Sequence, residues 1–167
     1  MNSDAQGDAQ VEARVREHLQ PGETFRAAVW ASRADERSPV RLTRAEMSPF
    51  RFRKLVPDSP GARRGVQGSP YSLAARLDEH IRLVTHPRVL ALTDRRLAVL
   101  ATRLAFWRNL LRPDSGPLPP LRLLWECPRA DLASATEQAG RLRLTFTDGS
   151  AVTLLTPSAR VQPFLAG

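Results

Sequence analysis

The chain has 167 residues, 25 of them basic and 17 acidic, with a formal net charge of +8 and one cysteine. That length suits one domain whose core needs no disulfide or metal staple, and a single cysteine excludes an internal disulfide framework. No apolar run reaches the ~18 residues of a membrane-spanning helix. The polar, acidic start Met1–Asp8 lacks the basic and apolar regions of a secretory signal, so a cytoplasmic protein is expected. Lys54 is the only lysine, and the bias toward arginine, alanine and proline is that of a GC-rich coding sequence. It weakens the step from high charge to nucleic acid. The charge is nevertheless concentrated: residues 33–64 hold eight arginines and Lys54 against four acids.

Residues 8–20 read as a short amphipathic helix with Val11, Val15 and Leu19 on one stripe, Asp8 as N-cap and Pro21-Gly22 as the stop. His18 falls beside that stripe, as a partly exposed surface histidine rather than a ligand. Thr24 to Ser32 reads as a strand, with Phe25, Ala27, Val29 and Ala31 sharing one face. From Arg33 to Ser69 prolines and glycines break any regular pattern, and this stretch is expected to be a largely irregular insertion. Ser69-Pro70 then reads as the start of a helix over about 70–84. Leu73, Leu77, Ile81 and Val84 mark its inner face, and Asp78, Glu79 and Arg82 its outer one.

The second half alternates with the period of strands. Arg88–Thr93 and Leu97–Thr102 flank the polar turn Thr93-Asp94-Arg95-Arg96 as a hairpin. Leu121, Leu123, Trp125 and Cys127 alternate against Arg122, Leu124 and Glu126, and Cys127 is expected to be a core thiol. Leu132–Gln138 is a weaker strand. Arg141–Thr147 alternates with Leu142, Leu144 and Phe146 inward, and Asp148-Gly149 marks a hairpin into Ser150–Thr156. A last helix begins near Pro157-Ser158 and carries Val161, Phe164 and Leu165, with Pro163 kinking or shortening it.

Pro21-Gly22-Glu23 before the first strand, the hairpin Leu92-Thr93-Asp94-Arg95-Arg96-Leu97, Leu124-Trp125-Glu126-Cys127-Pro128 and the hairpin Phe146-Thr147-Asp148-Gly149-Ser150 occur in a telling order. Together they resemble bacterial pleckstrin-homology-like domains, including the related GRAM-type domains, over residues 21–32 and 87–165. The resemblance implies a mainly β, α+β fold: a seven-stranded, strongly bent antiparallel barrel closed at one end by the C-terminal helix. To this the chain adds an N-terminal helix within 1–20 and the helix near 70–84, inside an insertion spanning 33–86. The resemblance also implies lipid-headgroup binding, peptide binding or scaffolding rather than catalysis.

The residues agree on the last point. The three histidines are dispersed, and no Gly-rich phosphate loop or nucleophile elbow occurs. Asp94 and Asp148 occupy turns, where their carboxylates serve the local backbone. No catalytic residue, metal, cofactor or small-molecule substrate is expected.

The candidate contact is Leu104, Phe106, Trp107, Leu110 and Leu111, which wound as a helix would form one apolar side, with Arg108 and Arg112 on the other. That combination suits a headgroup layer or a protein groove; the alternative is packing over the barrel mouth. Arg41, Arg44, Arg51, Arg53 and Lys54 form a second, basic candidate. The expected function is an interaction module docking to a protein partner or to an anionic membrane surface, peripheral to its inner face. Alternatives are an adaptor in a larger bacterial assembly with no lipid ligand, and a less favoured nucleic-acid contact through the insertion, with Phe50 and Phe52 stacking on bases.

Overall fold

The computed structural model describes residues 2–33, 65–81, 87–102 and 118–166. Within them the chain is mainly β: an open, eight-stranded antiparallel sheet with three helices. The helices are α1 (Asn2–Arg16), α2 (Leu73–His80) and α3 (Ser158–Leu165). The strands are β1 (Phe25–Arg33), β2 (Val66–Gln67), β3 (Arg88–Thr93), β4 (Arg96–Thr102), β5 (Leu121–Pro128), β6 (Leu132–Gln138), β7 (Arg141–Phe146) and β8 (Ala151–Leu155). A single 3₁₀ turn, Arg129–Asp131, joins β5 to β6.

Two antiparallel meanders meet at β1, giving the order β5-β4-β3-β1-β8-β7-β6. β1 pairs with β8 only through Ser32 and Arg33, and β2 continues along β8 where β1 ends, Val66 opposite Val152. Both meanders turn one face to a shared core. It contains Val29 of β1, Leu92 of β3, Val99 of β4, Trp125 of β5, Phe146 of β7 and Leu154 of β8. α2 and α3 close that core: α2 lies against β2, β5, β7 and β8, while α3 lies against β1, β6 and β7. Leu77 and Ile81 are fully buried, as are Val161 and Phe164. Pro163 does not end α3, which runs on to Leu165.

α1 covers the opposite face of the first meander. Val11 and Val15 pack on Val89, Ala91, Ala98, Leu100 and Leu121. Burying each valine stabilises by about 1.5–3 kcal/mol. This second cover explains why β3 and β4 read as near-continuous apolar runs: both faces are out of water, so nothing selects for polar residues at alternate positions.

Several expectations are corrected. The first helix starts at Asn2, six residues before the expected cap, and ends at Arg16; Asp8 lies inside it and pairs with Arg160 of α3. The stretch read as irregular contains β2, which raises the strand count to eight. The cap of α2 is Ser72, not Ser69. Its hydroxyl accepts the Ala75 N–H at 3.3 Å, while the Ser69 carbonyl closes the preceding turn by accepting from Ser72. Asp78 is 4% exposed instead of facing solvent. His18 is partly exposed as expected, with its Nε2 3.0 Å from the Leu121 carbonyl.

The β5 alternation also breaks. Trp125 faces Val99 and Leu123 faces Leu100, so Leu124 is an extra residue in the ladder. A one-residue bulge exchanges the faces on either side of it. Trp125 and Cys127 therefore join the main core, whereas Leu121 and Leu123 go to the α1 side.

Candidate functional site

The end of the sheet where β1 and β4 finish and β3 and β5 begin carries the most built chemistry. It starts with α2, which is held by its own Ser72 cap and, at both ends, by side chains distant in sequence. A helix presents four unsatisfied N–H groups at its start. The turn between β7 and β8 supplies partners for two of them. Asp148 accepts the Leu73 N–H at 2.8 Å and the Ser150 hydroxyl accepts the Ala74 N–H at 3.1 Å. Ser72 takes the next free donor, that of Ala75. Asp148 also binds the Ser150 N–H and hydroxyl, at 2.9 and 2.5 Å. Gly149 makes the turn with φ +80°, a conformation that suits glycine. The Phe-x-Asp-Gly-Ser hairpin is thus a docking cap for the inserted helix. Burial works to raise the Asp148 pKa, but its bonds from Ser150 and Leu73 outweigh that and hold it below the usual carboxylate value.

At its other end α2 meets arginines of the sheet. Arg33 reaches the Asp78 carbonyl and carboxylate at 3.3 and 3.4 Å, and Arg88 donates from Nε to the His80 carbonyl at 3.1 Å. Cations at a helix C-terminus satisfy its free carbonyls and complement its dipole. The ladders continue this row: Ala31 stands opposite Arg88, and Ala101 opposite Arg122. Beside this row lies an open depression of about 370 Å³, lined by Glu79, His80, Arg88, Arg122, Leu123 and Leu124. Arg122 is exposed and makes no hydrogen bond or ion pair among the described residues. Glu79 offsets part of the positive charge, so the depression is amphoteric rather than an anion trap.

A second cluster sits at the opposite end of the strands. The Arg96 guanidinium binds both oxygens of Glu23, at 2.8 and 3.0 Å, and also contacts Glu126 and the His18 carbonyl. Glu23 accepts in addition from Thr93 at 2.6 Å and from the Gln20 N–H at 2.7 Å. Its side chain is 0% exposed and that of Arg96 11%. Nearby, Asp94 accepts the Thr24 N–H at 2.7 Å. These are residues of the Pro-Gly-Glu and Leu-Thr-Asp-Arg-Arg-Leu motifs, and their contacts give the motifs a physical reason: they lock the chain entering β1 onto the β3–β4 hairpin. Sequence reasoning placed Arg96 in a polar turn and did not foresee this pair. The signal available was an acid and an arginine beside two separate turns. Cys127 is buried, and desolvation, with Asp131 second, pushes its thiol up to about 11.

The sequence-predicted contact residues Leu104, Phe106, Trp107, Arg108, Leu110, Leu111 and Arg112 lie outside the described residues, as do Arg41, Arg44, Arg51, Arg53 and Lys54. The described chain borders both segments at the same sheet end. Arg33 is the last residue of β1, and Thr102, the last of β4, stands opposite Leu121. α1 grips the returning chain there, through Arg14 to the Leu118 carbonyl at 2.8 Å and Gln10 to its N–H at 3.2 Å. Among the described residues no group of histidine, cysteine and carboxylate side chains could hold a metal, and no helix is long and apolar enough to cross a membrane. Fold and site define a mainly β protein with an open antiparallel sheet closed over by helices. Comparison with protein-family models, curated proteins and solved structures finds no match to the chain.

Proposed function

We propose that the chain is a non-catalytic interaction module of pleckstrin-homology-like architecture, docking to a protein partner or an anionic membrane surface through the end of the sheet beside α2. The observation that carries this reading is the convergence of chain at that end. Segments 34–64 and 103–117, which hold the basic and the apolar-plus-arginine candidates, both depart from it, next to the exposed Arg122. The strand order, two meanders on one core with a C-terminal helix lying across β1, β6 and β7, supports the architectural part. An apolar wedge beside guanidinium groups is suited to an interface that buries the former and pairs the latter with anions.

Flotation of the full chain with anionic and with neutral vesicles is the test. Membrane docking requires binding to anionic vesicles alone and its loss in Trp107→Ala/Leu110→Ala. Binding unchanged in that variant, or none at all, removes the membrane and leaves the protein partner. Site-specific photo-crosslinking from position 107 in the native cell then decides; no reproducible product would end the proposal.

A further inference from the structure

The second meander has an outer face that no described helix covers, because α1 lies on the first meander and α2 and α3 lie on the core side. Its composition follows from register. Arg143 of β7 stands opposite Thr136 of β6 and Thr153 of β8, and Arg141 stands opposite Gln138. Alternation puts these five side chains on the face away from Leu142, Leu144 and Phe146. Gln67 of β2 joins them, accepting from Arg143 at 2.7 Å. Glu137, the one carboxylate of β6, β7 and β8, points to the other face, where Gln162 of α3 donates to it at 2.7 Å. The face is therefore hydroxyl- and amide-rich and positively charged, and free of acids among the described residues. Arg141 has no hydrogen-bonding or ionic partner among them.

We infer that this face binds the sugar-phosphate backbone of a nucleic acid, without reading sequence. Arginine, serine, threonine and glutamine are the side chains that contact phosphate oxygens and sugars. Alternate residues of one strand bring Arg141 and Arg143 about 7 Å apart on one face, so both can contact one backbone. The absence of aromatic groups on β6, β7 and β8 of this face argues against stacking on bases, and the absence of exposed large apolar groups on these strands argues against insertion into a bilayer. Charge complementarity selects the occupant. The inference stands on the register of β2, β6, β7 and β8, and does not depend on the docking reading given above.

Fluorescence anisotropy of a labelled mixed-sequence duplex, measured with the full chain over a salt series, tests it. Each neutralised phosphate contributes about 0.9 to the slope of log affinity against log salt. Arg141→Ser/Arg143→Ser should therefore flatten the slope by roughly 2 and weaken binding at low salt. Arg26→Ser/Arg95→Ser, away from this face, should change neither. Thr136→Glu should weaken binding at every salt concentration. The inference is overturned if the parent chain does not bind duplex at low salt, if the Arg141/Arg143 variant keeps the parental slope, or if only anionic vesicles lose affinity in it. Circular dichroism of each variant separates lost contacts from lost fold.

Discussion

Asp148, in the turn between β7 and β8, accepts the backbone N–H of Leu73, a residue 75 positions earlier in the chain, at 2.8 Å. The bond makes α2 part of the domain's own architecture rather than an appendage. It ties the start of the helix to one meander while Arg33 and Arg88 tie its end to the other.

Asp148→Ala should destabilise the fold by about 1 kcal/mol, the usual cost of losing a helix cap. The variant leaves the β7–β8 turn its glycine, so the loss should appear as faster amide exchange in α2 before the rest of the sheet. Exchange of the whole domain in step with α2 would show instead that the helix and sheet unfold together.

Leu77→Ala should cost about 2–5 kcal/mol, because the side chain is fully buried in the main core and its removal leaves a cavity. Tyr71→Ala, two residues ahead of the same helix and 91% exposed, should change stability by less than about 0.5 kcal/mol. Denaturant melts of the two variants side by side check the contrast.

Glu23→Ala should cost about 1.5–3 kcal/mol, because it removes a buried carboxylate that Arg96, Thr93 and Gln20 all donate to, while Glu126 and the His18 carbonyl still hold the guanidinium. Replacing both partners, as Glu23→Leu/Arg96→Met, should cost less than the sum of the single changes. A double-mutant cycle measured by urea unfolding gives the coupling directly.

The same pair sets an acid limit. Desolvation would raise the Glu23 pKa, but the bonds from Arg96, Gln20 and Thr93 outweigh it and leave the folded value lowered. A lowered folded value means that the stabilisation is complete above the unfolded carboxylate range, near pH 4.3, and is lost as pH falls through the folded value. Asp148 acts in the same direction. Stability should be flat near neutrality and fall on the acid side, and the fall should be shallower in Glu23→Gln. A slope unchanged by that substitution would assign the acid limit to other groups.

With its thiol pushed up to about 11 and its side chain buried, Cys127 should resist alkylation at pH 8 in the folded chain. It should react at the rate of an ordinary cysteine in denaturant. Rapid modification under native conditions would contradict its place in the main core.

Strand and helix positions were largely legible because their cause is local. The alternation of Leu142, Leu144 and Phe146 and the four-residue stripe of Val11 and Val15 record which side meets oil, whatever the oil belongs to. The turn residues Asp94, Asp148 and Gly149 were legible for the same reason.

What the helices cover, where the ladder slips and which distant groups meet were decided only by tertiary structure. Leu124 carries no mark of a bulge, yet its insertion sends Leu123 and Trp125 to different cores. Val66-Gln67 is too short to read as a strand and exists because β8 offers a free edge beyond the end of β1. Asp78 looks like a surface acid until Arg33 arrives beside it, and Glu23 and Arg96 look like turn residues until they bury each other. Side-chain periodicity encodes burial on one element at a time. Pairing energies between residues far apart in the chain depend on geometry that no single stretch of sequence contains.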